Sequence, residues 1–217
     1  MTNPDLKLIA ALLDRSGSMT TVADDTRGGF DTFIAGQRAK PGDTVVTLAQ
    51  FDNRYEQVYE NKPIVEVPPL VLEPRGSTAL LDAIGRFITD IGSRLAALPE
   101  DDRPGDVTVV VMTDGHENAS VEWAKDGVRR LIEQQESGYD WDFVFLGANM
   151  DAVDVGAGMG FRPGKSMTYA ASAVGIDAVF GSVTTYLDRK DEAKRAGRSR
   201  RDVAFDEDER RRSVDDR

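Results

Sequence analysis

Apolar residues in this chain fall into short runs separated by polar stretches, and the spacing within each run assigns it to a strand or a helix. Leu6–Leu13 is apolar except at Lys7 and reads as a buried parallel strand. Thr44–Phe51, entered from a Pro41-Gly42-Asp43 turn, reads as a strand, as do Val107–Met112 and Phe143–Leu146. Between these runs the period changes. Leu80, Ile84, Phe87, Ile88, Ile91 and Leu95 share one helical face within Thr78–Leu95. Val121, Ala124, Val128, Leu131 and Ile132 do the same within Ser120–Gln135, with Ser120 as its expected cap. Tyr55–Tyr59 follows the second strand after only three residues, which forces an antiparallel return. The proline-rich stretch Asn61–Pro74 predicts an irregular edge. A short helix is expected from near Asp151, a last strand over Ser166–Ala170, and a closing helix carrying Ile176, Val179, Val183 and Leu187. Strands alternating with helices predict an α/β fold: a doubly wound, mostly parallel sheet with one antiparallel edge strand and helices on both faces. The sequence holds no internal repeat.

Composition narrows the function classes. The chain has 217 residues, 27 Lys and Arg against 38 Asp and Glu, and no cysteine. Residues 188–217 hold 11 basic and 10 acidic side chains, leaving 16 basic against 28 acidic in residues 1–187. One domain over 1–187 and a charged tail over 188–217, either a solvated helical extension or disordered, is the expected organisation. An acidic body is a poor nucleic-acid surface, because phosphate contacts need Lys and Arg. Disulfides and thiolate metal sites are excluded, which fits a reducing cytoplasm. Met1–Asp5 lacks the basic start of a signal peptide, and the apolar run after it is too short to span a membrane.

The candidate chemistry lies where strands end. Asp14-Arg15-Ser16-Gly17-Ser18 directly follows the first strand and offers one carboxylate and two hydroxyls. Asp114 follows the strand Val107–Met112, and Thr78 lies in the loop entering a long helix. In a doubly wound sheet all three segments reach the same crevice, beyond the carboxyl ends of the strands. Only oxygen is offered there, and oxygen suits a hard cation such as Mg²⁺. His116, the only histidine, is expected on an exposed loop at the crevice rim, with Glu117 and Asn118 shaping that loop. Arg15 and Arg75 either steer an acidic partner or are simply solvated. Gly164-Lys165-Ser166 invites a phosphate-loop reading, but the earlier glycine that motif needs is replaced by Met159. Gly156-x-Gly158-x-Gly160 misses the dinucleotide spacing as well.

Asp14-x-Ser16-x-Ser18, then Thr78, then Asp114, in the settings Leu12-Leu13-Asp14, Gly76-Ser77-Thr78-Ala79-Leu80 and Met112-Thr113-Asp114-Gly115, resembles the von Willebrand factor A-type (integrin I-like) domains and their metal-ion-dependent adhesion site. The resemblance covers about residues 5–187. It implies that Ser16 and Ser18 bind the metal directly and Thr78 directly or through water. Asp14 and Asp114 would then act through bound waters and hydrogen bonds. One coordination position is left for an acidic side chain of a partner. The function this implies is a non-catalytic, cytoplasmic, Mg²⁺-dependent protein-binding domain, with Mn²⁺ or Ca²⁺ as other possible ions. The intracellular members it most resembles are small bacterial or phage-borne proteins, some linked to AAA-type ATPases or chaperone-like assemblies. The alternative is a Mg²⁺-dependent phosphohydrolase with Asp14 as nucleophile. Enzymes of the haloacid-dehalogenase type want a second acid two residues on, where this chain has Ser16.

Overall fold

A computed structural model describes residues 2–215. Its centre is a six-stranded sheet in the order β3-β2-β1-β4-β5-β6. The strands are β1 (Asn3–Asp14), β2 (Asp43–Phe51), β3 (Tyr55–Pro63), β4 (Pro104–Thr113), β5 (Asp142–Ala148) and β6 (Ser166–Tyr169). All neighbours are parallel except β2 and β3, so the one antiparallel strand is at the edge, as the short connection requires. β1 lies between β2 and β4 and pairs continuously with both over Lys7–Leu13, Leu13 with Gln50 on one side and Met112 on the other. The chain winds outward in opposite directions from this pair. The carboxyl ends of β1 and β4 therefore form the topological switch point, where open α/β sheets place their ligands.

Each strand face has its own core, because alternate residues of a strand point to opposite sides. Ile9, Ala11 and Leu13 pack with Phe30 and Phe33 of α1 (Ala23–Arg38) and Val179 and Val183 of α5 (Ala173–Arg195). Leu8, Ala10 and Leu12 pack with α2 (Leu80–Ala97), α3 (Lys125–Tyr139) and α4 (Ala152–Met159). Helix α1 has no counterpart among the predicted elements. Its sequence carries Gly28, Gly29 and Gly36, which lower helix propensity, and tertiary packing supplies what propensity does not. Gly29 in particular lets Phe180 approach: a Cβ there would sit 2.6 Å from its ring.

Two predicted features change. α3 begins at Lys125, not Ser120, and its N-cap is Ala124 without a side-chain bond. Val121 is 90% exposed and belongs to the preceding loop. Residues 188–215 carry the helical extension that was one of the two expectations, and it packs against the rest of the fold instead of standing in solvent. α5 continues through the expected boundary to Arg195, and a seven-residue helix, α6 (Glu207–Ser213), closes the chain against β6. Asp206 and Glu209 form a reciprocal cap at its start. Glu209 is buried on Arg189, and Phe205 lies over Tyr186 with ring centroids 5.1 Å apart. The outer edge of β6 is covered by this segment. Arg210 donates to the Ser166 carbonyl, the Ser213 hydroxyl donates to the Thr168 carbonyl, and the Ser213 carbonyl accepts from Ala170 N–H at 2.7 Å. High charge density concealed this packing, since most of these charges are paired. Among the described residues, no helix is long and apolar enough to cross a membrane.

Candidate functional site

Five oxygen-bearing side chains expected to converge do meet at the switch point. Asp14 is the last residue of β1 and is fully buried. Its Oδ1 accepts from Ser16 N–H at 2.6 Å and its Oδ2 accepts from the Thr113 hydroxyl at 2.6 Å. The chain then turns into a short 3-10 segment, Gly17–Thr21, which brings the Ser16 and Ser18 hydroxyls within 3.1 Å of each other. Ser18 Oγ donates to Asp114 Oδ1 at 2.6 Å, so the β1 and β4 loops already touch through two of the five groups. Thr78 comes from the third loop. A Cβ on Gly115 would lie 2.8 Å from Thr78 Oγ1 and 3.5 Å from Ser18 Oγ, so glycine at this position leaves both hydroxyls clear. Thr78 is buried, and its hydroxyl makes no hydrogen bond among the described residues.

A set of clamps around the site explains why the three loops stay together. The Thr78 N–H donates to Asn118 Oδ1 at 3.0 Å, and the Asn118 N–H donates to the Thr78 carbonyl at 3.1 Å. Glu117 accepts from the N–H groups of Leu81, Ala119 and Ser120 and from the Ser120 hydroxyl. Asp82, in the first turn of α2, accepts in return from the N–H groups of Val121, Glu122 and Trp123. The loop after Asp114 and the start of α2 thus cap each other. Gly85 completes the fit, because any side chain there would run into the Trp123 indole. Loop shaping by Glu117 and Asn118 matches expectation, and His116 is exposed with no hydrogen bond among the described residues. The roles of Asp82 and Trp123 were not read from the sequence.

Arg15 departs from both expected roles. It is buried, donating to Asp52 at 3.1 Å and to Glu56 at 2.6 Å. Arg75 donates to the same Asp52 oxygen at 2.9 Å while remaining 55% exposed. These pairs lock the β1 loop to the β2–β3 turn and to the segment before Thr78. Asp14 and Asp114 have no such cation. Among the described residues neither forms an ion pair, and burial pushes the Asp14 carboxyl up to about 6, although hydrogen bonds from Thr113 and Ser16 oppose it. Burial raises the Asp114 carboxyl too, against the Ser18 hydrogen bond.

This donor set fits a hard divalent cation. All five side chains offer oxygen, and among the described residues one hydroxyl has no partner and a buried carboxylate has no counter-charge. Among the described residues no three His, Cys, Asp or Glu side chains cluster as a metal site, so any ion held here rests on hydroxyls as much as on carboxylates. A phosphate-loop role for Lys165 is excluded by its surroundings, for its ammonium is buried on Asp142 at 2.5 Å.

No protein-family model matches the sequence, and neither does any curated protein. Solved structures do match. Proximal thread matrix protein 1 from the mussel byssus aligns at 16% identity with a TM-score of 0.58, covering 85% of this chain and 46% of that one. It has also been solved with a zinc-occupied MIDAS motif. The von Willebrand factor type A protein from Catenulispora acidiphila aligns at 14% identity, TM-score 0.54, covering 85% and 42%. The ArnB paralog VWA2 from Sulfolobus acidocaldarius aligns at 13% identity, TM-score 0.52, covering 83% and 44%. The chain spans a little under half the length of each of these. At such identities the likeness is one of fold, and the fold is von Willebrand factor A-like.

Proposed function

We propose that this chain is a metal-dependent protein-binding domain that captures an acidic side chain of its partner. The observation that carries the proposal is the meeting of Asp14, Ser16, Ser18, Thr78 and Asp114 at the switch point, with the buried Asp14 carboxylate lacking a cation among the described residues. Mg²⁺ is the proposed ion, with the hydroxyls of Ser16, Ser18 and Thr78 facing it and the two carboxylates set behind them. A bound ion supplies a positive charge that neutral hydroxyls leave largely uncompensated, so that a partner carboxylate gains a charge-assisted contact in a partly dry crevice. The zinc-occupied motif of the mussel protein supports a divalent ion at this point of the fold. A cytoplasmic setting and a partner of the AAA-type ATPase or chaperone-like class belong to the same proposal.

The phosphohydrolase reading has less support. Asp14 Oδ1 and Oδ2 are both engaged, by Ser16 N–H and the Thr113 hydroxyl, and the carboxylate is fully buried, which leaves no open line for attack on a phosphoester. Calorimetric titration of Mg²⁺ and Mn²⁺ into the wild type and Asp14→Ala tests the metal reading. Saturable binding by the wild type that Asp14→Ala loses is the expected result, and equal binding by both overturns it. Asp14-dependent turnover of a generic phosphoester would favour the enzyme.

A further inference from the structure

An open groove of about 310 Å³ flanks the candidate metal site, lined by Asp52, Asn53, Arg54, Arg75 and Gly76. It is continuous with the ligand loop, because the Gly76 carbonyl accepts from the N–H of Gly17, between Ser16 and Ser18, at 3.1 Å. Gly76 is also two residues from Thr78. It has a φ of +69°, and a Cβ there would lie 2.5 Å from Asn53 Oδ1, so the groove floor stays free of a side chain.

The charges around this groove are unequal in availability. Asp52 is fully buried and held by Arg15, Arg75 and the Arg54 N–H. Glu56, on the same side and 55% exposed, is held by Arg15 at 2.6 Å, with Arg75 at 3.8 Å. Arg15 is thus fully engaged inside. Arg75 donates only its Nε to a hydrogen bond and holds its Nη2 3.8 Å from Glu56, leaving Nη1 to take another acceptor. Arg54 is exposed, and its guanidinium makes no hydrogen bond or ion pair among the described residues. Glu73 also acts on Arg75, so the three arginines face Asp52, Glu56 and Glu73, and Arg54 is the arginine among them that no described acid holds, on a chain whose net charge is −11. An acidic partner is repelled by most of such a surface and attracted where an exposed cation stands without an acid of its own.

We infer that this groove is the second anchor of an acidic partner segment, taking a carboxylate on Arg54 and Arg75 while a neighbouring carboxylate of the same segment occupies the metal. The inference rests on the metal reading above. It makes the recognised element a pair of spaced acids instead of a lone Asp or Glu. Guanidinium forks suit this task, since two parallel N–H groups match a carboxylate. Once the first acid is bound, the second is captured at a high effective concentration.

The test titrates the full chain, loaded with Mg²⁺, with N-acetyl-aspartamide and with blocked di-aspartate peptides spaced by one, two or three glycines. The best-spaced di-acid is expected to bind roughly tenfold tighter than the mono-acid. Arg54→Ala should bring it down to the mono-acid level while leaving Mg²⁺ and mono-acid binding unchanged. A di-acid that binds no tighter than the mono-acid, or whose advantage survives in Arg54→Ala, overturns the second anchor and leaves the metal reading standing. Mono-acid binding that persists undiminished in chelator overturns the metal reading and the inference with it.

Discussion

The two ends of this sheet bury the same side chain in opposite electrostatic states. At the carboxyl ends of the strands, Asp14 and Asp114 sit among hydroxyls, and burial raises both carboxyls, Asp14 to about 6. At the amino ends, Asp106 of β4 and Asp142 of β5 are about as deeply buried as Asp14. There Lys190 of α5 reaches Asp106 at 3.1 Å and Asp142 at 2.9 Å, Lys165 reaches Asp142 at 2.5 Å, and the Tyr186 hydroxyl donates to Asp142 at 2.7 Å. Burial pushes Asp142 up, but the Lys190 and Lys165 ammonium groups outweigh it and hold the carboxyl down at about 2. Asp106 is lowered by the same kind of balance, with Lys190 and Arg200 prevailing. One end carries its cations in the sequence, and at the other no described side chain supplies one. A buried carboxylate is therefore informative about function through what faces it, and burial alone does not separate a structural acid from a ligand-binding one.

The sharpest way to break this contrast is to remove the resident cation. Lys190→Met leaves Asp106 and Asp142 buried with Arg200 and Lys165 as their remaining cations, and should destabilise the fold by roughly 3–5 kcal/mol. Denaturant unfolding at pH 7 measures it. The effect has a defined pH course. Asp142 titrates lower in the folded than in the unfolded state, so its contribution is present above about pH 4 and lost as the pH falls towards 2. Wild type and Lys190→Met should accordingly converge in stability at acid pH, and a constant difference down to pH 2 would contradict the assignment.

At the opposite end the same operation should have the opposite sign. The Asp14 carboxyl titrates higher in the folded state, so the folded chain holds more protons between about pH 4 and 6 and loses stability as the pH rises through that window. Above pH 6, without metal, the ionised carboxylate costs on the order of 3 kcal/mol. Asp14→Asn removes this cost, and the Thr113 hydroxyl, already 3.1 Å from the Gly115 carbonyl, has another acceptor to turn to. In chelator at pH 8, Asp14→Asn should be more stable than the wild type, and it should no longer gain stability on adding Mg²⁺. A loss of stability in chelator would show that Asp14 is a structural acid like Asp142.

The sequence made these two ends unequally legible. The carboxyl end was readable because Asp14 and Asp114 directly follow apolar strands and Thr78 precedes a strongly periodic helix. The amino end was not. Lys190 and Lys165 lie 48 and 23 residues beyond Asp142, on elements that meet it only through the winding of the chain, and in the sequence they sit in what reads as a solvated charge run and a failed phosphate-loop motif. α1 was missed for a related reason: Phe30, Phe33 and Ile34 are its buried face, but three glycines obscure the period. Arg15 was misjudged because its burial depends on Asp52 and Glu56 across the β2–β3 turn.

A smaller change sharpens the picture of the site itself. Gly115→Ala places a methyl group 2.8 Å from Thr78 Oγ1 without altering any charge. Displacing one hydroxyl of five should weaken Mg²⁺ binding about tenfold, near 1.4 kcal/mol, with little change in thermal stability in chelator. Binding equal to the wild type would remove Thr78 from the ligand set while leaving the other four in place.

The smallest effect separates a third way of satisfying a buried acid. Glu117 stands three residues from Asp114, half-buried and without a cation among the described residues, yet its carboxyl is lowered: burial raises it, and the N–H groups of Leu81, Ser120 and Ala119 with the Ser120 hydroxyl prevail. Dipoles do here what ammonium groups do at the amino end. Glu117→Gln keeps the shape but turns an NH₂ towards donors, so it should cost about 1 kcal/mol of stability. Because Glu117 is tied to the start of α2, the loosening should reach Thr78 and lower Mg²⁺ affinity only a few-fold. Combining Glu117→Gln with Thr78→Ala decides the route. If Glu117 acts on the metal through Thr78, its effect on affinity disappears in the double variant while the stability loss remains. If the two affinity losses add, Glu117 acts on the site by another path, and the separation between dipole-satisfied and cation-awaiting carboxylates fails at this position.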